Sequence, residues 1–120
     1  MPKFLLILRG DPDAWRHQDR AEIQNLIERF ESWAGRLMAE RRFLDGKKLA
    51  DGEGRVVVRA GDTVRVTDGP YGESKELVGG FHVIEADDYE HAVKLCHDHP
   101  ELSIRGSVEI RRLDPMGQPE

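Results

Sequence analysis

The residues best suited to chemistry are concentrated in Asp68-Gly69-Pro70-Tyr71, then Glu73, Lys75-Glu76 and Gly79-Gly80-Phe81. Turn geometry accounts for the first three. An Asp at a turn start bonds its own backbone, Gly permits positive φ, and Pro fixes the next φ. A simple turn does not require Tyr71, Lys75 or Glu76. At a pocket mouth the Tyr71 ring would pack a ligand and the Lys75 ammonium would bind a carboxylate or similar anion. Glu76 beside Lys75 also suits an exposed ion pair. Gly79-Gly80 allows close backbone approach, to a ligand or to an adjacent strand.

His82 alternates with Phe81 and Val83 and so shares a strand face with Ile84. There it is either an inward-facing acid/base or a satisfied histidine beneath a helix. His91, His97 and His99 with Cys96 and Asp98 have the residue types of a metal site but not its spacing. His97 and His99 would project about 200° apart on a helix, and no i, i+4 histidine pair exists, so no metal is expected. There is no Gly-rich phosphate loop after a strand, no nucleophile elbow and no CxxC. Asp51-Gly52-Glu53-Gly54 lacks the carboxylate spacing of a calcium loop. No cofactor is expected.

The elements that must position these groups follow from pattern. Phe4–Leu8 is an uninterrupted apolar run between Pro2 and Gly10-Asp11-Pro12, which predicts a strand covered on both faces. Asp19 with Glu22 predicts a capping-box start. Ile23, Leu26, Ile27, Phe30, Ala34, Leu37 and Met38 then recur at helical spacing to about Arg42. Arg55–Arg59 and Thr63–Thr67 are β-branched strands joined at Ala60-Gly61-Asp62. Gly80–Glu85 is a further strand. Asp87 with Glu90 opens a second helix carrying Tyr89, Ala92, Val93 and Cys96, which Pro100 ends. Ser107–Arg111 alternates as the last strand, and residues 114–120 form a loose tail after a single domain over 1–113.

With the Arg55–Thr67 hairpin as an insertion or as part of the second-strand region, the order is βαββαβ, the ferredoxin-like α+β arrangement. Its helices cover one sheet face, so the apolar first strand leaves the other face needing cover. A second copy's sheet would supply it, giving a dimeric α/β barrel. Arg9, Glu109 and Arg111 fall on adjacent strands, with Glu109 and Arg111 on one face. They form either a cross-strand ion pair or, if that face is the barrel lumen, a polar pocket floor.

The 120 residues carry a formal net charge of −5, against the basic face that nucleic acid or an anionic membrane requires. Arg41-Arg42 and Arg111-Arg112 are interleaved with acids and read as solvated surface. Cys96 is the only cysteine, so no internal disulfide is possible and a reducing cytoplasm is the expected compartment. The first apolar run is too short for a signal peptide, and none approaches a membrane span.

Val66-Thr67-Asp68-Gly69-Pro70-Tyr71, Glu73, Lys75-Glu76, Gly79-Gly80-Phe81 and Ile84-Glu85-Ala86 resemble the DGPF branch of the YCII-related family. The similarity continues through Tyr89-Glu90-His91-Ala92 and Gly106–Arg111, and covers Phe4 to Leu113. Tyr71 stands where phenylalanine is usual. The resemblance implies a ferredoxin-like dimer whose facing sheets form an α/β barrel, and for some members an association with extracytoplasmic-function sigma factors. It also implies acid/base work by a histidine after the first strand and an aspartate before a proline that follows the second helix. His17 lies in the first region. The residue directly before Pro100 is His99, with Asp98 one step earlier.

Two functions fit these residues. The first is a homodimer binding a small organic ligand in a cleft beside Asp68–Glu76. Its acid/base candidates are His17, Asp98 and His82, Asp68 and Tyr71 line the site, and Lys75 or Arg111 holds an anionic group. The second is a non-catalytic interaction or regulatory module, with a sigma factor as partner and the same loop as docking surface.

Overall fold

In the computed structural model, which describes residues 1–11, 13–69 and 77–118, strand β1 (Lys3–Gly10) runs through the middle of a four-stranded antiparallel sheet. The sheet order is β2-β5-β1-β6, with β2 at Phe43–Lys48, β5 at Leu77–Glu85 and β6 at Ser107–Arg112. This is the ferredoxin-like order expected from the sequence, with helices α2 (Arg20–Ala39) and α3 (Tyr89–Leu95) as the two crossovers. A one-turn helix α1 (Asp13–Arg16) precedes α2. Strands β3 (Arg55–Ala60) and β4 (Thr63–Asp68) form a separate two-stranded sheet inserted between β2 and β5.

Alternation along β1 divides the molecule. Phe4, Leu6 and Leu8 point to the helices and pack with Ile84, Trp33, Leu37, Ala92 and Cys96 into one core. Leu5 and Ile7 point the other way, opposite Val83 and Phe81 of β5, and are half-buried. A single chain therefore covers one face of β1 fully and the other only in part.

Local chemistry sets the helix ends. The Asp19 side chain accepts a hydrogen bond from the Glu22 amide, as the capping pattern predicts. The helix stops at Ala39, short of Arg42. Arg41 takes the left-handed conformation (φ 60°), and the Arg42 amide reaches back to the Leu37 carbonyl. The inward face also differs from the expected list. Leu26, Trp33 and Leu37 are buried, whereas Ile27 and Met38 are exposed.

Three further expectations need correction. The N-cap of α3 is Asp88, not Asp87, and it accepts from the His91 amide. The Asp87 amide instead donates to His91 Nδ1. Pro100 does not end α3, which is capped at Cys96. It opens a 3₁₀ turn, Pro100–Ile104, because its missing N–H costs nothing at a first helical position. Strand β2 has no counterpart in the sequence reading. Its residues, FLDGKK, do not alternate, and a register shift between Phe43 and Asp45 breaks the period.

The Ala60-Gly61-Asp62 turn is as expected, with Gly61 at φ 65°. Every residue of the β3–β4 hairpin except Val56 is exposed. Among the described residues no helix is long and apolar enough to cross a membrane.

Candidate functional site

The packing of α2 against β5 creates an aromatic cluster around two histidines. Trp33 is 2% exposed and stacks on His82, with ring centroids 5.1 Å apart and planes 23° from parallel. Its other contacts are edge-on, to His99 at 4.5 Å and to Phe43 at 6.3 Å. Its Nε1–H donates to the Leu95 carbonyl at 2.9 Å, so the indole carries no unmet polar group into the core. Phe30, one turn earlier on α2, meets the His99 ring edge-on.

His99 is held by the chain turning into the 3₁₀ segment. It occupies the N-cap position, and its Nδ1 accepts from the Glu101 amide at 3.0 Å. Its Nε2 lies 3.2 Å from His82 Nδ1. Removal from water holds both imidazoles neutral, with His82 lowered to about 4 and His99 to about 3. The neighbouring His82 lowers His99 further, and Asp98 opposes this.

The same turn buries Glu101. An added Cβ at Gly10 would lie 2.8 Å from its Oε1, and one at Gly106 would lie 2.6 Å from its Cγ and 2.7 Å from the Arg9 carbonyl oxygen. Gly106 must stay bare, because a Cβ there would also meet the Arg9 backbone, whereas at Gly10 it would meet only the end of the carboxyl. Gly106→Ala is therefore expected to lose about 1–3 kcal/mol by overpacking, read as a lower urea midpoint. Burial raises the Glu101 carboxyl to about 7, with Lys48 pulling in the opposite direction.

His82 and Glu101 line one cleft of about 380 Å³, within the usual size of a small-molecule site. Leu8, Ile27, Phe30, Phe43, Leu49 and Val78 supply much of its apolar wall. Lys48 stands on its rim and donates to Asp51 at 3.0 Å. The arrangement offers an apolar wall, one carboxyl poised near neutral pH and one neutral imidazole.

The residues singled out in the sequence are dispersed by the fold. Of the acid/base and ligand-binding candidates among the described residues, His82 alone lines this cleft, together with the Gly79-Gly80 pair. Asp68 ends β4, fully solvated, with one carboxylate oxygen 3.5 Å from Arg55. Arg111 lies on the helix-free face of the sheet beside Glu109, which also pairs with Arg9 at 3.1 Å. His17 is exposed after α1, and Asp98 is paired with Arg36 at 2.7 Å. Among the described residues no contact joins His17 to Asp98, and the position directly before Pro100 holds His99. Pro70, Tyr71, Glu73, Lys75 and Glu76 lie outside the described residues, although the adjacent Leu77 lines the cleft.

Trp33 and Glu101 were not anticipated. Trp33 could have been found, since it stands three residues after Phe30 and four before Leu37 on the helix's apolar face. Glu101 gives no such signal, because an acid after a helix-opening proline is ordinary first-turn chemistry. Among the described residues no three His, Cys, Asp or Glu side chains are grouped as a metal would need. Cys96 is buried and its thiol is pushed up to about 12, which suits an inert core residue.

Comparison with family models matches residues 3–117 to the YCII-related domain. The chain belongs to the YCII-related family. No curated protein matches the sequence. One similar solved structure is 5-chloro-2-hydroxyhydroquinone dehydrochlorinase (TftG) from Burkholderia phenoliruptrix, in complex with 2,5-dihydroxybenzoquinone. The two are 14% identical, with a TM-score of 0.55 over 93% of each chain. At that identity the likeness supports the fold, and for this YCII-related chain the chemistry has to be argued from its own cleft.

Proposed function

We propose that this protein binds a small, planar organic molecule in the His82–Glu101 cleft and moves a proton on it without a cofactor. One observation carries the reading: two titratable side chains, both drawn out of water, line the same apolar cavity. Glu101 is the proton acceptor. A carboxyl near 7 is ionised in part at neutral pH and is a stronger base than an ordinary solvated carboxylate. The planar oxygenated ring in the TftG complex belongs to the class of ligand this cleft would admit.

4-Nitrophenol is a suitable probe, being planar, weakly acidic and coloured when ionised. Titration calorimetry at pH 7.5 should show saturable binding with one site per chain, weakened at least tenfold by Glu101→Gln. Absence of saturable binding would count against the reading, as would equal affinity in the variant.

The residues from Asp68 to Phe81 favour the DGPF branch, and the single buried thiol suits a reducing cytoplasm. Leu5, Ile7, Phe81 and Val83, half-buried on the helix-free face, favour pairing of two copies sheet to sheet as an α/β barrel. A second reading is a non-catalytic module that docks a protein such as an extracytoplasmic-function sigma factor. It is favoured by the hairpin, where Val57, Val64 and Val66 share one face and are each more than half exposed. An isolated two-stranded hairpin is marginal without something against it.

A further inference from the structure

The hydrogen bonds around His99 run in only one direction. The Glu101 amide donates to His99 Nδ1, so that nitrogen carries a lone pair and the proton of the neutral ring sits on Nε2. His99 Nε2–H must then donate to His82 Nδ1, which lies 3.2 Å away. His82 Nδ1 is in turn an acceptor, and the proton of its neutral ring is on Nε2. A charged His82 would set an Nδ1–H against the His99 Nε2–H, so the chain of bonds opposes protonation in addition to the effect of burial. Nδ1 is engaged by His99, and the His82 ring lines the cleft, so the nitrogen left for a ligand is Nε2.

We infer that His99 is a positioning residue which fixes His82 as a hydrogen-bond donor, so that the cleft takes a planar ring bearing an acidic hydroxyl for Glu101 and a conjugated acceptor oxygen for His82. This rests on the proposed function and assigns the two polar groups opposite roles. The ligand's O–H bond breaks, and its proton forms an O–H bond on the Glu101 carboxylate. The electron pair stays on the ligand and is delocalised through the ring to the second oxygen. There His82 Nε2–H stabilises the new charge without transferring its own proton. Lys48, which also lines the cleft, adds a positive charge that acts on the Glu101 end of it. Phenols conjugated to a carbonyl or nitro group and hydroxyquinones have this pattern; simple carboxylic acids and aliphatic alcohols lack it.

Nitrogen-15 NMR of the imidazole rings in the ligand-free protein at pH 7 tests the inference independently of the proposed function. The expected result is that both His82 and His99 carry the proton on Nε2 and have bare Nδ1. Protonation of His82 on Nδ1, or a charged ring, would overturn it. In His99→Phe, which keeps a ring of similar size, His82 should become a mixture of tautomers; an unchanged Nε2–H form would remove the positioning role. The wild-type measurement decides the His82 tautomer even if that variant does not fold. If the tautomers are as expected but 4-nitrophenol does not bind, the proposed function fails while the proton arrangement stands.

Discussion

Trp33→Ala is expected to destabilise the protein by about 3–5 kcal/mol, a large share of the roughly 5–15 kcal/mol that holds a domain folded. Three losses act together. A fully buried indole is removed from between the helix and the sheet, leaving a cavity that the rigid β5 backbone cannot close. His82 and His99 lose their stacking and edge contacts. The Leu95 carbonyl, at the end of α3, loses the Nε1–H that satisfies it. Trp33→Phe should recover much of the packing but not the hydrogen bond, so its cost should fall well below that of alanine. Urea denaturation followed by circular dichroism measures both. A loss under about 1 kcal/mol in the alanine variant would mean that the cluster is not the anchor between α2 and the sheet.

The second large effect is acid sensitivity. Each histidine has a folded-state value below its unfolded value, near 6.5, so the unfolded chain binds protons that the folded chain refuses. Their contribution to stability is complete above pH 6.5 and is lost as the pH falls toward 4 and then 3. The maximum slope is about 1.4 kcal/mol per pH unit for each ring. Glu101 works in the other direction. Its folded value, about 7, lies above the unfolded one, so it favours the folded state most below pH 4.5 and loses that advantage as the pH rises through 7. Between pH 6.5 and 4.5 one histidine is in effect offset, and a net loss on the order of 2–3 kcal/mol is expected. Denaturation midpoints at pH 7.5, 6 and 5 measure it. His99→Phe should flatten the curve, and stability that holds steady or rises on acidification would show that the histidines are not buried as neutral rings.

Most of the elements were legible in the sequence because they depend on strong local signals: an apolar run for β1, alternation in β6, and capping acids before two amphipathic helices. β2 was not, since its pairing is decided by β5 rather than by its own polar residues. The centre of the site was missed for a similar reason. His82 was visible as a histidine on a strand face shared with Ile84. What it faces depends on Trp33 from α2 and on His99 and Glu101 from a turn after α3, groups brought together only by the crossovers. The glycine that admits Glu101 illustrates this well. Gly106 is an ordinary turn residue in the sequence, and its purpose is apparent only when the buried side chain lies against it.

The most direct test of the central claim is to follow backbone amide signals by NMR as 4-nitrophenol is added. Binding in the cleft should shift Gly80, His82, Leu49 and Glu101 together along one saturation curve, leaving Arg111 and Asp68 in place. Shifts confined to Arg111 and Glu109 on the open face of the sheet, or to Asp68 at the end of the hairpin, would contradict the assignment of this cleft as the binding site.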